Sequence, residues 1–167
     1  MNIDEAIAVL EEKCHNPETG LPEDVFLFLT RLTPMVNVDL LIKDDKGRTL
    51  LTWRDDIYCG SGWHFPGGIV HLKETSIERV ETVAKLELGC EVTAESRPIA
   101  LNECIEKTQL NRGHSYSLLY RCKLNSPPLR KLKYHGGKPQ PSMYKFFDNT
   151  PINILKVHNM YRQYINN

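Results

Sequence analysis

"GGIVHLKETSIERVETVAKLELG", Gly67 to Gly89, decides how the rest of the chain is read. A helix is predicted from Thr75 or Ser76 to Leu88, with Gly89 free to take the left-handed conformation that closes it. Ile77, Val80, Ala84 and Leu88 fall on one apolar stripe and are expected to face the core. At 100° per residue, positions 83, 86 and 87 share another edge. A site for several divalent cations would need carboxylates at all three, and the residues are Val83, Leu86 and Glu87, so one carboxylate points that way. Glu78 and Glu81 lie well off this direction and read as solvated charges.

Upstream, "MVNVDLLIK" and "RTLLTWR" are strand-like runs around the turn "DDKG", which predicts a hairpin. "DDIYCGSGWHFPGG" is glycine-rich and reads as irregular structure leading to the double glycine. Two helices are predicted before the first strand. Asp4 can cap the first, and Pro22 suits the first turn of the second. Downstream, "CEVTAES", "PIALNECIEKT", "HSYSLLYRCKL" and "SMYKFFD" read as strands, with "INILKVHNMYRQYI" as a closing amphipathic helix. The mixture is an α/β class.

The 167 residues carry 21 basic and 21 acidic side chains, which suits one domain and gives no global field toward nucleic acid or an anionic membrane. Any anion site is local. Five cysteines without C-x-x-C spacing argue for reduced thiols and a cytoplasmic setting rather than disulfides or zinc. The N-terminal apolar run is too short and broken for a signal peptide, and no stretch has the length of a membrane helix.

The pattern Gly68, five residues, Glu74, then Glu87 and Gly89 resembles the Nudix box. The resemblance implies an α/β/α sandwich around a mixed β-sheet, in which a glycine carbonyl and box glutamates hold Mg²⁺, with Mn²⁺ as a substitute, against a diphosphate. The chain departs from the box at Thr82, where an arginine partner for Glu74 is expected, and at Val83 and Leu86. "TVAKLELG" is similar to the box ending of GDP-mannose mannosyl hydrolases. "TPMVNVDLLI", "GRTLLTWR", "GWHFPGG", "PQPSMYKFFD" and "VHNMYRQYI" are similar to other segments of that family. The likeness starts near Pro22, which divides the chain into an N-terminal helical extension, 1–20, and a hydrolase domain, 21–167. It implies metal ligands at the Gly67 carbonyl, Glu87 and Gln140, substrate or catalytic roles for Asp39 and Arg54, and structural box positions at Gly68, Glu74 and Gly89. The family's arginine after the double glycine is Ile69 here, and the histidine beside its metal-binding glutamine is Pro141.

Water attacking phosphorus must approach an anionic centre, which is why several cations and a base gather on a full box. Attack at the anomeric carbon of a sugar nucleotide needs less, because the nucleoside diphosphate leaves as a weakly basic group. One Mg²⁺ and a base away from the helix then suffice. His114, His64 and Asp39 are the candidate bases, although a histidine at a strand end is more often structural. The expected activity is hydrolysis of a nucleoside diphosphate sugar. The alternatives are a pyrophosphatase acting on ADP-ribose or a nucleoside triphosphate, and a silent nucleotide-binding module. Homodimerisation through the N-terminal helices is a further expectation.

Overall fold

The computed structural model describes residues 2–166; Met1 and Asn167, the outer ends of the 1–20 and 21–167 segments, lie outside the described residues. Helix α1 (Ile3–Lys13) is capped by Asn2 rather than Asp4, because Asn2 and Glu5 satisfy each other's backbone N–H groups in a capping box. No residue of α1 is buried. The exposed pairs Lys13–Asp24 and Lys73–Glu18 link this segment to its neighbours, and solvated pairs of this kind contribute little to stability. Helix α2 (Glu23–Leu29) starts just after Pro22 and leads into the sheet.

Strand β1 (Met35–Ile42) is the axis of the fold. It runs parallel to β7 (His114–Leu124) along its whole length and antiparallel to β4 (Gly67–Ile69) on its other edge. With β5 (Val92–Ala94) and β6 (Ala100–Ile105) pairing antiparallel to β7, this makes a mixed five-stranded sheet. A second, antiparallel sheet has the order β3-β2-β8, from Gly60–His64, Thr49–Asp56 and Tyr144–Phe147.

Two sequence readings are corrected here. The β1–β2 hairpin reduces to one bridge, Lys43 to Thr49, because β7 and β4 occupy the edges of β1; past the Asp44–Arg48 turn, β2 enters the other sheet. The glycine-rich stretch is not irregular, since it forms β3 and β4. The turn between β2 and β3 is pinned by the Asp56 carboxylate, which accepts the N–H groups of Tyr58 and Cys59, both at 2.8 Å.

Alternation along β1 divides the core into two layers. Val38, Leu40 and Ile42 face α3 (Ser76–Val83), packing with Val80, Val83, Ala84 and Leu88. Leu41 faces the opposite layer with Phe65, Trp63, Tyr161 and Ile165. The result is helix, sheets, helix: the expected sandwich. Each fully buried side chain of this size contributes roughly 1.5–3 kcal/mol. Trp63 belongs to this core, edge-on to Trp53, Tyr134 and Phe147. The C-terminal segment is not one amphipathic helix. It is a 3₁₀ stretch, Lys156–Tyr161, followed by the single turn α4 (Arg162–Ile165), because the side chain of His158 is tied into the sheet layer by the Phe65 N–H.

α3 does not stay α-helical to its end. Its last turn, Ala84–Leu88, is π-helical and closes on Gly89 at φ +60°. A Cβ at Gly89 would lie 2.3 Å from Leu129 Cδ1. Gly89→Ala therefore combines a strained left-handed backbone with a clash, and is expected to lower stability by about 1–3 kcal/mol in urea unfolding.

Candidate active site

The widened last turn of α3 sets the position of Glu87. π-helical turns occur often at functional sites, and here the turn separates the three positions a uniform helix would align. Val83 goes into the core, Leu86 is 76% exposed, and Glu87 turns inward. Its carboxylate accepts the Gly67 N–H at 3.3 Å and the Thr52 hydroxyl at 3.1 Å. Burial pushes its pKa up to about 7, against the pull of those two donors. Since the Thr52 proton is directed to Glu87, His64 Nε2 donates to Thr52 Oγ1, 3.0 Å away. His64 is buried, and burial, with His158 and Arg54 nearby, holds its pKa well below the usual imidazole value. His64 is neutral.

Asp39 lies across Gly67. It is the register partner of Gly67 in β4, and a Cβ on that glycine would sit within 2.4 Å of Asp39 Oδ1. Gly67 thus lies between two carboxylates, one at its N–H and one where a side chain would be. The other oxygen of Asp39 accepts hydrogen bonds from Ser117 Oγ and, at 2.8 Å, from the Tyr161 hydroxyl. Burial and the adjacent Asp39 push the Tyr161 phenol far up, so it remains a donor. His158 accepts the Phe65 N–H through Nδ1, which leaves its Nε2 proton facing Asp39 Oδ1 at 3.9 Å.

Asp39, His64, Arg54, Gly67 and Gly68 line one cavity of about 200 Å³. Arg54 is ion-paired with Asp56 at its edge. A larger cavity of about 530 Å³, bordered by α2 and β4, is apolar, and its lining includes His71 but neither His64 nor His114. The candidate polar side chains Asp39, His64 and Arg54 line the smaller one.

Of the predicted site residues, Glu87 meets this cavity only through Gly67, whose N–H it accepts, and His114 and Gln140 are not brought to it. His114 stands on the face of β7 opposite Ser115 and Ser117, where it meets Glu103 at 3.2 Å and lies beside Tyr116. Gln140 is exposed on its loop, with its amide toward the Lys138 carbonyl at 3.5 Å. Among the described residues, no three His, Cys, Asp or Glu side chains converge as a metal cage would. What remains of the expected ligand set, Glu87 and the Gly67 carbonyl, fits an octahedral ion held by one carboxylate and otherwise by phosphate oxygens and water.

Glu74 keeps an arginine partner, from a different position. Arg79, not residue 82, reaches it at 2.7 Å; both side chains are largely buried, and Glu74 also accepts the His71 N–H. Arg79→Ala leaves a buried carboxylate unpaired and is expected to cost about 3 kcal/mol in chemical denaturation. Ser117, Tyr161, His158 and Thr52 were also absent from the sequence reading. They reach the site from as far as 122 residues away in the chain, and the available signal was the His158/Tyr161 spacing of three.

No protein-family model matches the chain. An 81-residue segment is 38% identical to the low-salt glycan biosynthesis protein Agl8 of Haloferax volcanii, covering 48% of this chain and 51% of that protein. The chain therefore spans about half the length of the curated relative it matches. Among solved structures, a MutT Nudix hydrolase from Burkholderia pseudomallei superposes with TM-score 0.61 at 20% identity, over 80% of this chain and 98% of that one. A UDP-X diphosphatase matches with TM-score 0.57 at 18% identity, over 99% and 68% respectively. An ADP-ribose pyrophosphatase from Streptococcus suis matches with TM-score 0.52 at 20% identity, over 81% and 84%. No helix among the described residues is long and apolar enough to cross a membrane. The layer order, the mixed sheet and these neighbours together establish that the chain has the fold of the Nudix hydrolases.

Proposed function

We propose that this protein is a Nudix-type hydrolase of a nucleoside diphosphate sugar, cleaving the bond between the anomeric carbon and the diphosphate. The observation that carries this reading is the placement of the carboxylates. α3 offers Glu87 alone, and the second carboxylate, Asp39, stands on β1 across the double glycine. Glu87 and the Gly67 carbonyl would hold Mg²⁺, which when bound supplies positive charge to a departing diphosphate. Asp39 accepts the proton of the attacking water at Oδ1, while Ser117 and Tyr161 hold Oδ2 and fix the carboxylate's orientation. His64 contributes a neutral donor to Thr52 and thereby orients Glu87. Arg54 lines the same cavity and suits phosphate oxygens. The matched relative is named for glycan biosynthesis, which agrees with a sugar-bearing substrate.

A second reading rests on the fold neighbours named for ADP-ribose and UDP-X, substrates with a P–O–P linkage. Chromatography of products from GDP-mannose, other nucleoside diphosphate sugars and ADP-ribose, each with Mg²⁺, separates the two. Nucleoside diphosphate with free sugar supports the first reading, nucleoside monophosphate the second. No turnover across the panel would leave a nucleotide-binding module.

A further inference from the structure

The cavity has a second basic residue that the chemistry above does not use. Arg112 reaches it from the loop between β6 and β7 and is held by three different parts of the chain. Its N–H donates to Thr30 Oγ1, at the end of α2, at 3.0 Å. Its guanidinium lies 5.8 Å from the Phe26 ring centroid on α2 and 4.9 Å from that of Tyr58, on the β2–β3 turn. Gln109, three residues earlier, donates to the Tyr58 carbonyl at 2.9 Å and closes the loop onto that turn. The backbone of Arg112 has φ +59°, a conformation that a side-chain-bearing residue keeps only when its surroundings enforce it.

Arg112 also differs from Arg54 in charge balance. Arg54 is neutralised by Asp56, whereas no carboxylate pairs with Arg112 among the described residues. A guanidinium fixed at the cavity without a carboxylate partner describes a site for an anion such as a phosphate.

We propose that Arg112 is an anion-binding residue of the substrate site, presented to the diphosphate by α2 and Tyr58, so that the segment before β1 takes part in substrate recognition. This rests on the nucleoside diphosphate reading above, and the test separates the two. Calorimetric titrations without divalent cation use three probes, GDP, inorganic pyrophosphate and guanosine, against wild type, Arg112→Gln, Arg112→Lys and Thr30→Val, with folding checked by circular dichroism. Arg112→Gln is expected to weaken GDP and pyrophosphate about tenfold or more while leaving guanosine unchanged. Arg112→Lys recovers part of the loss, since it keeps the charge without the fork. Thr30→Val gives a smaller loss of the same pattern, and in turnover Arg112→Gln raises KM with little effect on kcat. Unchanged GDP and pyrophosphate affinity in Arg112→Gln, or equal losses for guanosine, overturns the role of Arg112 and leaves the substrate class standing. Pyrophosphate bound by wild type and lost in Arg112→Gln, with no GDP binding, keeps Arg112 and overturns the nucleoside diphosphate reading. Absence of both from wild type overturns the two together.

Discussion

Glu87→Gln abolishes turnover, by about 10²-fold or more, and at the same time makes the metal-free protein more stable above neutral pH. The two effects share one cause, a carboxylate buried where its charge is costly. Its pKa rises from 4.5 in the unfolded chain to about 7 in the fold. Below pH 4.5 the carboxyl is protonated in both states and the fold retains all its stability. Between pH 4.5 and 7 the unfolded chain gives up the proton first, so stability falls as pH rises. Glutamine stays neutral and escapes that loss, which is worth on the order of 3 kcal/mol at most. Thermal melts without divalent cation are expected to agree at pH 4.5 and to favour the variant at pH 8. Mg²⁺ should raise the midpoint of wild type alone. A variant with full turnover, or one that melts lower at pH 8, contradicts the role given to Glu87.

The second large effect is at Asp39. Asp39→Asn preserves the shape and still accepts from Ser117 and Tyr161 through one oxygen, but it cannot take a proton from water. kcat is expected to fall about 10²–10⁴-fold with GDP affinity little changed. Tyr161→Phe removes one of the two donors to Oδ2 and leaves the carboxylate, so its loss is about tenfold. Steady-state kinetics with calorimetry of product binding measure both. Turnover in Asp39→Asn equal to wild type would remove Asp39 as the base. His64, neutral and committed to Thr52, then becomes the group to test.

The parts of this molecule legible in the sequence are those set by local spacing. Glu74 and Gly89 help place α3 and its left-handed cap because each acts within the helix or the turn beside it. The π turn was not legible, since no local spacing marks it, and in a uniform helix Val83, Leu86 and Glu87 share an edge. The β1–β2 hairpin was misread for a related reason. A turn such as Asp44–Arg48 predicts that the chain reverses, but not that β7 and β4 have already taken the edges of β1. In the site, Asp39 and Arg54 were reached through resemblance. Ser117, Tyr161 and His158 were missed because their meaning is a position opposite Asp39, which only the assembled sandwich supplies. Arg79 shows the same limit on a smaller scale: one turn of helix carries the arginine that the box would place at residue 82.

A thinned carboxylate set that serves attack at carbon leaves a mark on the products of turnover in ¹⁸O-labelled water. With GDP-mannose and related nucleoside diphosphate sugars, mass spectrometry is expected to find label in the free sugar and none in the nucleoside diphosphate; label in either phosphate product would mean attack at phosphorus and would overturn the proposed reaction.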